Sequence, residues 1–490
     1  MSEKETEQEK KQDTSDENSN SRLPEKPIET KHKIKLGRKT LNYIAKTGMM
    51  PLKNEKGDHH ANIFFTAYTV DGVENNAERP LTFVFNGGPG SASVWLHLGA
   101  VGPKRVKMHD EGWLPQPPFQ LEDNQQTWLD KTDLVFIDPV GTGYSRALNP
   151  DDNKKFWSLQ GDLDSVGEFI RLYLSKNSRW SSPLFLAGES YGTTRAAGLS
   201  GHLIDKGIAF NGIILISTII NFQTARFVRG NDLPYALFLP TYTATAWYHG
   251  QLDDELQEKP VADVVAEAEE WAENDYTLAL MRGDKLSKKE RKAIVKKLVR
   301  YTGLDEKYVD GSKLRINIMR FCKDLLRNEN RTVGRLDSRF KGYADLAISE
   351  FPEFDPSMSA IMPPYTAMMN QYVRAELGYE NDDTYEILSF NVNQKWEYDR
   401  GTFPDTSDHL RRALERNPHM KVYVGQGYYD LATPHFAAHY SLNHMGISPD
   451  LHENISYYFY EAGHMYYLDV SQLAKLNTDV SEFMKSALPK

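Results

Sequence analysis

Between Asp133 and Ser217 the sequence repeats one device: a short unbroken apolar run, a turn, then a helical pattern. The runs are Asp133-Leu-Val-Phe-Ile137, Pro183-Leu-Phe-Leu-Ala187 and Gly212-Ile-Ile-Leu-Ile-Ser217. Between them lie Leu163–Leu174, with apolar residues at 163, 166, 169, 170 and 173, and the Ala- and Gly-rich stretch Tyr191–Ile204. A run with no polar alternation has to bury both of its faces, which places it in a parallel sheet covered by helices on each side. Residues 61–70 and Leu81–Phe85 read as earlier strands, Lys421-Val-Tyr-Val424 and Ile455–Tyr460 as later ones. The expected class is α/β, with a mostly parallel sheet.

From about 221 to 385 strand signals fade and helical ones dominate. Ser287-Lys-Lys-Glu290 is a capping box that opens a helix over Ser287–Tyr301. The next helix carries the apolar stripe Leu314, Ile318, Phe321, Cys322 and Leu325, which makes Cys322 a buried structural thiol. The organisation expected is a charged, disordered tail over 1–35, a first core segment over 36–220, a helical cap inserted over 221–385, and a second core segment over 386–490. The tail rests on residues 1–32, where Met1, Leu23 and Ile28 are the only large apolar groups among nine acidic and six basic residues.

Composition removes several classes of function. With 58 Lys+Arg against 68 Asp+Glu the net charge is −10, the wrong balance for a protein that grips nucleic acid. A single cysteine in 490 residues excludes an internal disulfide framework and a cysteine-only zinc cage, and no metal or cofactor is expected. The most apolar run, 212–220, is too short to span a bilayer, and the N-terminus has no apolar leader core. These features lead to the expectation of a cytoplasmic protein away from membranes. The sequence carries no signal for an oligomeric state.

The chemistry starts at Gly188-Glu-Ser-Tyr-Gly192, directly after the run 183–187 and directly before a helix. In that context a G-x-S-x-G lifts the Ser190 hydroxyl above the sheet edge, with the first N–H groups of the helix facing a developing oxyanion. A nucleophilic serine needs a base, and the base needs an acid to orient it. In the α/β-hydrolase order these follow as Asp and then His, each on a loop after a late strand. Asp430 closes the loop after 421–424 and His464 the loop after 455–460. His435 and His439 share a helix spacing that two metal ligands could use, but no Glu follows His435, and a structural role is expected for both. Asn86-Gly-Gly-Pro-Gly90 after 81–85 has unshielded N–H groups suited to an oxyanion hole completed by the N–H of Tyr191. Asp138-Pro-Val-Gly-Thr-Gly-Tyr-Ser145 lacks the lysine or glycine spacing of a nucleotide loop.

Taken in order, Asn86–Gly90, Asp138–Ser145, Gly188–Gly192 and Gly463-His-Met465 resemble the serine carboxypeptidase family. The resemblance spans roughly 60–490, strong at the motifs and weak in the cap. It implies an α/β-hydrolase fold with a helical cap, and Ser190, Asp430 and His464 as the catalytic triad. It also implies an oxyanion hole from the N–H groups of Gly88 and Tyr191, and a grip on the substrate's C-terminal carboxylate by Asn86, Gly87 and Glu189. The expected function is a serine-type carboxypeptidase acting on peptides through an acyl-enzyme on Ser190. An esterase or acyltransferase on the same machinery is the alternative, and a binding protein without chemistry is the third reading. Three positions depart from the family: Ser91 replaces a disulfide-forming cysteine, Val84 a tryptophan, and Ala100 the second glutamate of a carboxylate pair that shares a proton. Lys104, Arg105 and Arg195 are the cations that could compensate. Without a partner for Glu189, the rate is expected to rise as His464 loses its proton and to stay high at neutral pH.

Overall fold

The computed structural model describes residues 26–54, 56–398 and 402–489. Nine strands run through its central sheet: β1 (Ile28–Leu36), β2 (Lys39–Lys53), β3 (His59–Val70), β4 (Leu81–Phe85), β5 (Asp133–Ile137), β6 (Leu184–Ser190), β7 (Gly212–Thr218), β8 (Lys421–Gly427) and β9 (Ile455–Tyr460). Their spatial order is β1-β2-β3-β5-β4-β6-β7-β8-β9, with the short strand Arg146–Ala147 pairing β3 as a tenth. The first three strands and the β3/β5 pair are antiparallel; from β5 to β9 every neighbour is parallel.

The unbroken apolar runs behave as their composition requires. Along β4, Phe83 and Phe85 enter one core layer and Val84 the other; along β7, Ile213 and Leu215 go one way and Ile214 and Ile216 the other. One layer is closed by helices α1 (Leu159–Lys176) and α2 (Tyr191–Ile204), through Val166, Phe169, Ala196 and Leu199. The opposite layer is closed by residues from 356–375 and by the C-terminal helix Val470–Ala487, through Tyr365, Tyr372, Leu476 and Phe483.

A third apolar cluster is built mainly from helices between 233 and 324. It joins Phe238 and Tyr242 of α3 (Leu233–Tyr248), Trp271 of α4 (Val261–Trp271), Leu298 of α5 (Lys288–Thr302), and Phe321 and Cys322 of α6 (Ile318–Asp324). Ser287 and Glu290 form the capping box reciprocally. Cys322 is buried there, and that burial pushes its thiol well above its usual range. Within the expected insertion 221–385 there are thus two packing partners. Helices up to α6 make their own cluster, whereas α7 (Pro356–Ala375) packs onto the sheet layer.

The N-terminal expectation needs correction. Residues 28–35, assigned to the disordered tail, form with Leu36 the edge strand β1 in full register with β2, from Ile28 opposite Thr47 to Leu36 opposite Lys39. The low apolar content misled because an edge strand buries little: Lys31, Lys33 and Lys35 point to solvent while Ile34 enters the core. Residues 1–25 lie outside the described part.

Candidate active site

Each sequence-marked loop leaves the sheet at the carboxyl end of a parallel strand, where the turns of adjacent strands converge. β6 ends at Ser190, whose backbone is forced to φ 60° and ψ −130°, a region that non-glycine residues rarely occupy. The turn closes so tightly that a Cβ on Gly188 would lie 2.1 Å from the carbonyl oxygen of Gly192. Likewise a Cβ on Gly87 would lie 2.4 Å from the backbone N of Tyr191, so the Asn86–Gly90 turn rests directly on the first N–H of α2. Asn86, Gly87, Gly88, Glu189, Ser190 and His464 all line one cavity of about 850 Å³.

Asp430 follows β8 and is closed off from solvent. Its Oδ1 accepts from the N–H groups of Ala432 (2.8 Å) and Thr433 (3.0 Å), and its Oδ2 from Thr433 Oγ1 at 2.6 Å. Oδ2 also meets His464 Nδ1 at 2.7 Å. These donors fix the carboxylate, which in turn fixes the imidazole. Burial would depress the His464 pKa, but the charge and hydrogen bond of Asp430, aided by Glu189, outweigh it and raise the value above the ordinary 6.5. The His464 backbone is tied at two further points, donating to the Leu336 carbonyl at 2.6 Å and accepting from Ser217 Oγ at 2.5 Å.

Glu189 lies next to the serine and is itself buried. Burial pushes its carboxyl up to about 7, against the opposing pull of His464 and of a hydrogen bond from Tyr467. Asn86 Oδ1 accepts from Leu96 N at 3.0 Å, and its side-chain amide faces Glu189, favouring the ionised carboxylate. The three cations offered as compensation do not line the cavity. Lys104 pairs with Asp123 and Glu376, and Arg105 with Glu122. Arg195 is buried against Asp162 at 2.8 Å and donates to the Asn86 carbonyl at 2.6 Å, so it holds the turn from behind. Beyond Glu189 and His464, the charged side chains lining the cavity are Arg226, Arg335 and Asp355, which lie between 221 and 385, away from the sequence motifs.

Asp138, His435 and His439 do not line the cavity. Asp138 is buried, accepts from Ser93 N (2.8 Å) and Tyr385 Oη (2.8 Å), and is pushed up to about 6 by burial. His435 Nε2 meets Glu269 Oε1 at 2.7 Å, joining α4 to the helix after Asp430; no group of residues suited to a metal ion occurs among the described residues.

A profile of the serine carboxypeptidase family matches residues 38–468. The chain belongs to the serine carboxypeptidase family. It is 33% identical over 158 residues to the pheromone-processing carboxypeptidase KEX1 of Saccharomyces cerevisiae, a match covering 29% of this chain and 20% of that protein. It is 30% identical over 143 residues to the retinoid-inducible serine carboxypeptidase of Mus musculus, covering 28% and 27%. The chain thus spans about a fifth to a quarter of the length of these relatives. The structure superposes on the crystal structure of KEX1, a prohormone-processing carboxypeptidase from Saccharomyces cerevisiae, with a TM-score of 0.56. That likeness covers 90% of this chain and 91% of the other at 18% identity, and it carries the α/β-hydrolase fold. These relatives also correct the cytoplasmic expectation: pheromone- and prohormone-processing carboxypeptidases are enzymes of the secretory route. The expectation had rested on a missing apolar leader and a lone cysteine, neither of which places a protein.

Proposed function

We propose that the protein is a serine-type carboxypeptidase that cleaves peptides at their C-terminal bond. Ser190 Oγ attacks the last peptide carbonyl as His464 Nε2 takes its proton, with Asp430 holding the imidazole so that Nε2 faces the serine. The N–H groups of Gly88 and Tyr191 receive the oxyanion. The C–N bond then breaks, the terminal residue leaves with the proton from His464, and water hydrolyses the ester on Ser190 by the same steps. Residues 221–385 cap the cavity in this reading, and the substrate is a peptide.

The observation that carries the reading is the wall beside Ser190. The buried amide of Asn86 and the buried carboxyl of Glu189, pushed up to about 7, face each other in the cavity and offer hydrogen bonds where a terminal carboxylate would sit one residue from the scissile bond. The test is mass spectrometry of a peptide digested over time, in free-acid and C-terminally amidated forms. Loss of single residues from the free acid, and a much slower reaction of the amide, is expected. Equal cleavage of both forms, or internal cuts, refutes the reading.

A further inference from the structure

Tyr467 stands three residues after His464 on the short turn Tyr466–Leu468, and neither the sequence motifs nor the mechanism above uses it. Its Oη donates to Oε2 of Glu189 at 2.5 Å, and both side chains are closed off from bulk solvent. The ring fills the space beside Gly99, where an added Cβ would come within 2.6 Å of its edge and within 2.6 Å of Tyr365 Oη. Gly99 immediately precedes Ala100, the position at which the chain lacks the family's second glutamate. The volume on that side of Glu189 is therefore occupied by a phenol.

We infer that Tyr467 is a positioning residue for terminal-carboxylate recognition: its hydroxyl holds Oε2 of Glu189 so that Oε1 presents a proton to the carboxylate of the bound peptide. The inference rests on the carboxypeptidase reading and adds to it the means by which one glutamate does the work of two. A carboxylate partner would share a proton with Glu189 and repel it once both ionised. A phenol does neither. Burial, and then the charge of Glu189, keep the Tyr467 hydroxyl protonated far above neutral pH, so it stays available as a donor. The other groups facing Glu189 are His464, Asp430, Asn86, Tyr365 and Tyr466. Burial keeps both tyrosines protonated as well, and Asn86 does not titrate. The working form of the clamp is thus neutral Glu189. Because donation from Tyr467 favours the ionised carboxylate, it also sets how early in pH that form is lost.

The experiment compares wild type with Tyr467→Phe on matched peptides ending in a free carboxylate or a carboxamide, from mildly acidic to mildly alkaline pH. The expected result is an about tenfold fall in the free-acid to amide ratio of kcat/KM, carried by KM, from the loss of one hydrogen bond to an ionisable group. The alkaline limb for the free acid should also move to higher pH, which a merely structural loss would not produce. An unchanged ratio together with an unmoved limb overturns the inference while leaving the carboxypeptidase reading intact. A wild type with no preference for the free acid removes both. Where Tyr467→Phe does not fold, Glu189→Gln carries the test: the amide can accept from the phenol and donate to the substrate but cannot ionise. The alkaline limb then disappears; a limb that persists in Glu189→Gln overturns the inference.

Discussion

Glu189 should make folding stability depend on pH in a way that one isosteric substitution removes. Burial moves its carboxyl from 4.5 to about 7, and the side chain is only 3% exposed, so solvent screening is slight. Below the unfolded value both states hold the proton, and the group contributes fully to stability. As pH rises from 4.5 toward 7 the unfolded chain releases its proton while the folded protein still holds it, and stability is lost. At about 1.36 kcal/mol per pH unit, a difference of about 2.5 amounts to roughly 3 kcal/mol once the pH is well above 7. Glu189→Gln removes the ionisation and keeps an acceptor for Tyr467. An unfolding entropy of about 2.1 cal/mol/K per residue over 490 residues is about 1 kcal/mol/K, so the variant should melt about 3 °C higher than wild type at alkaline pH. Near pH 4 the two should coincide. Scanning calorimetry of both proteins at the two pH values measures the difference. A gain that is the same at both, or a Gln variant less stable at alkaline pH, refutes the burial argument.

The same group limits catalysis on its alkaline side. With His464 raised by Asp430 and Glu189 raised by burial, kcat/KM on free-acid peptides should form a narrow bell near neutrality, its limbs belonging to the coupled pair. Amidated peptides should show only the acidic limb, and identical profiles would count against the clamp. Asp430→Asn leaves the shape of the site but favours the wrong imidazole tautomer; by analogy with other serine hydrolases kcat should drop by about 10³ to 10⁴ with an unaltered melting temperature. Arg195→Met leaves Asp162 buried without its partner and frees the Asn86 carbonyl. Loss of about 3–5 kcal/mol in chemical denaturation is expected, together with a raised KM for free-acid peptides; a loss below 1 kcal/mol would show that the pair is not load-sharing.

The raised carboxyl of Glu189 adds an alkaline limb to the expectation that activity stays high at neutral pH. That expectation counted carboxylate neighbours, found none at Ala100, and left out burial. Burial depends on Tyr467, Tyr365 and the turn at Gly99 closing over the carboxyl, and residues 99, 189, 365 and 467 are brought together only by the fold.

Strands β4 to β9, the serine turn, and the loops of Asp430 and His464 were legible in the sequence because each is encoded locally. An unbroken apolar run can be stable only with both faces covered, and a serine between glycines at the end of such a run has few backbone options. β1 was missed because its partner supplies its hydrogen bonds and its own side chains stay largely in water. Arg195 could be marked from the sequence as a cation near the motifs, but not as the buried partner of Asp162 behind Asn86. Tyr467 gave no signal beyond an aromatic pair after Gly-His-Met. What the sequence by itself determined was the order and local geometry of the chemistry-bearing turns. The tertiary structure alone decided which polar groups lose their water and which neighbours they gain, because desolvation and charge pairing depend on distances between residues far apart in the chain.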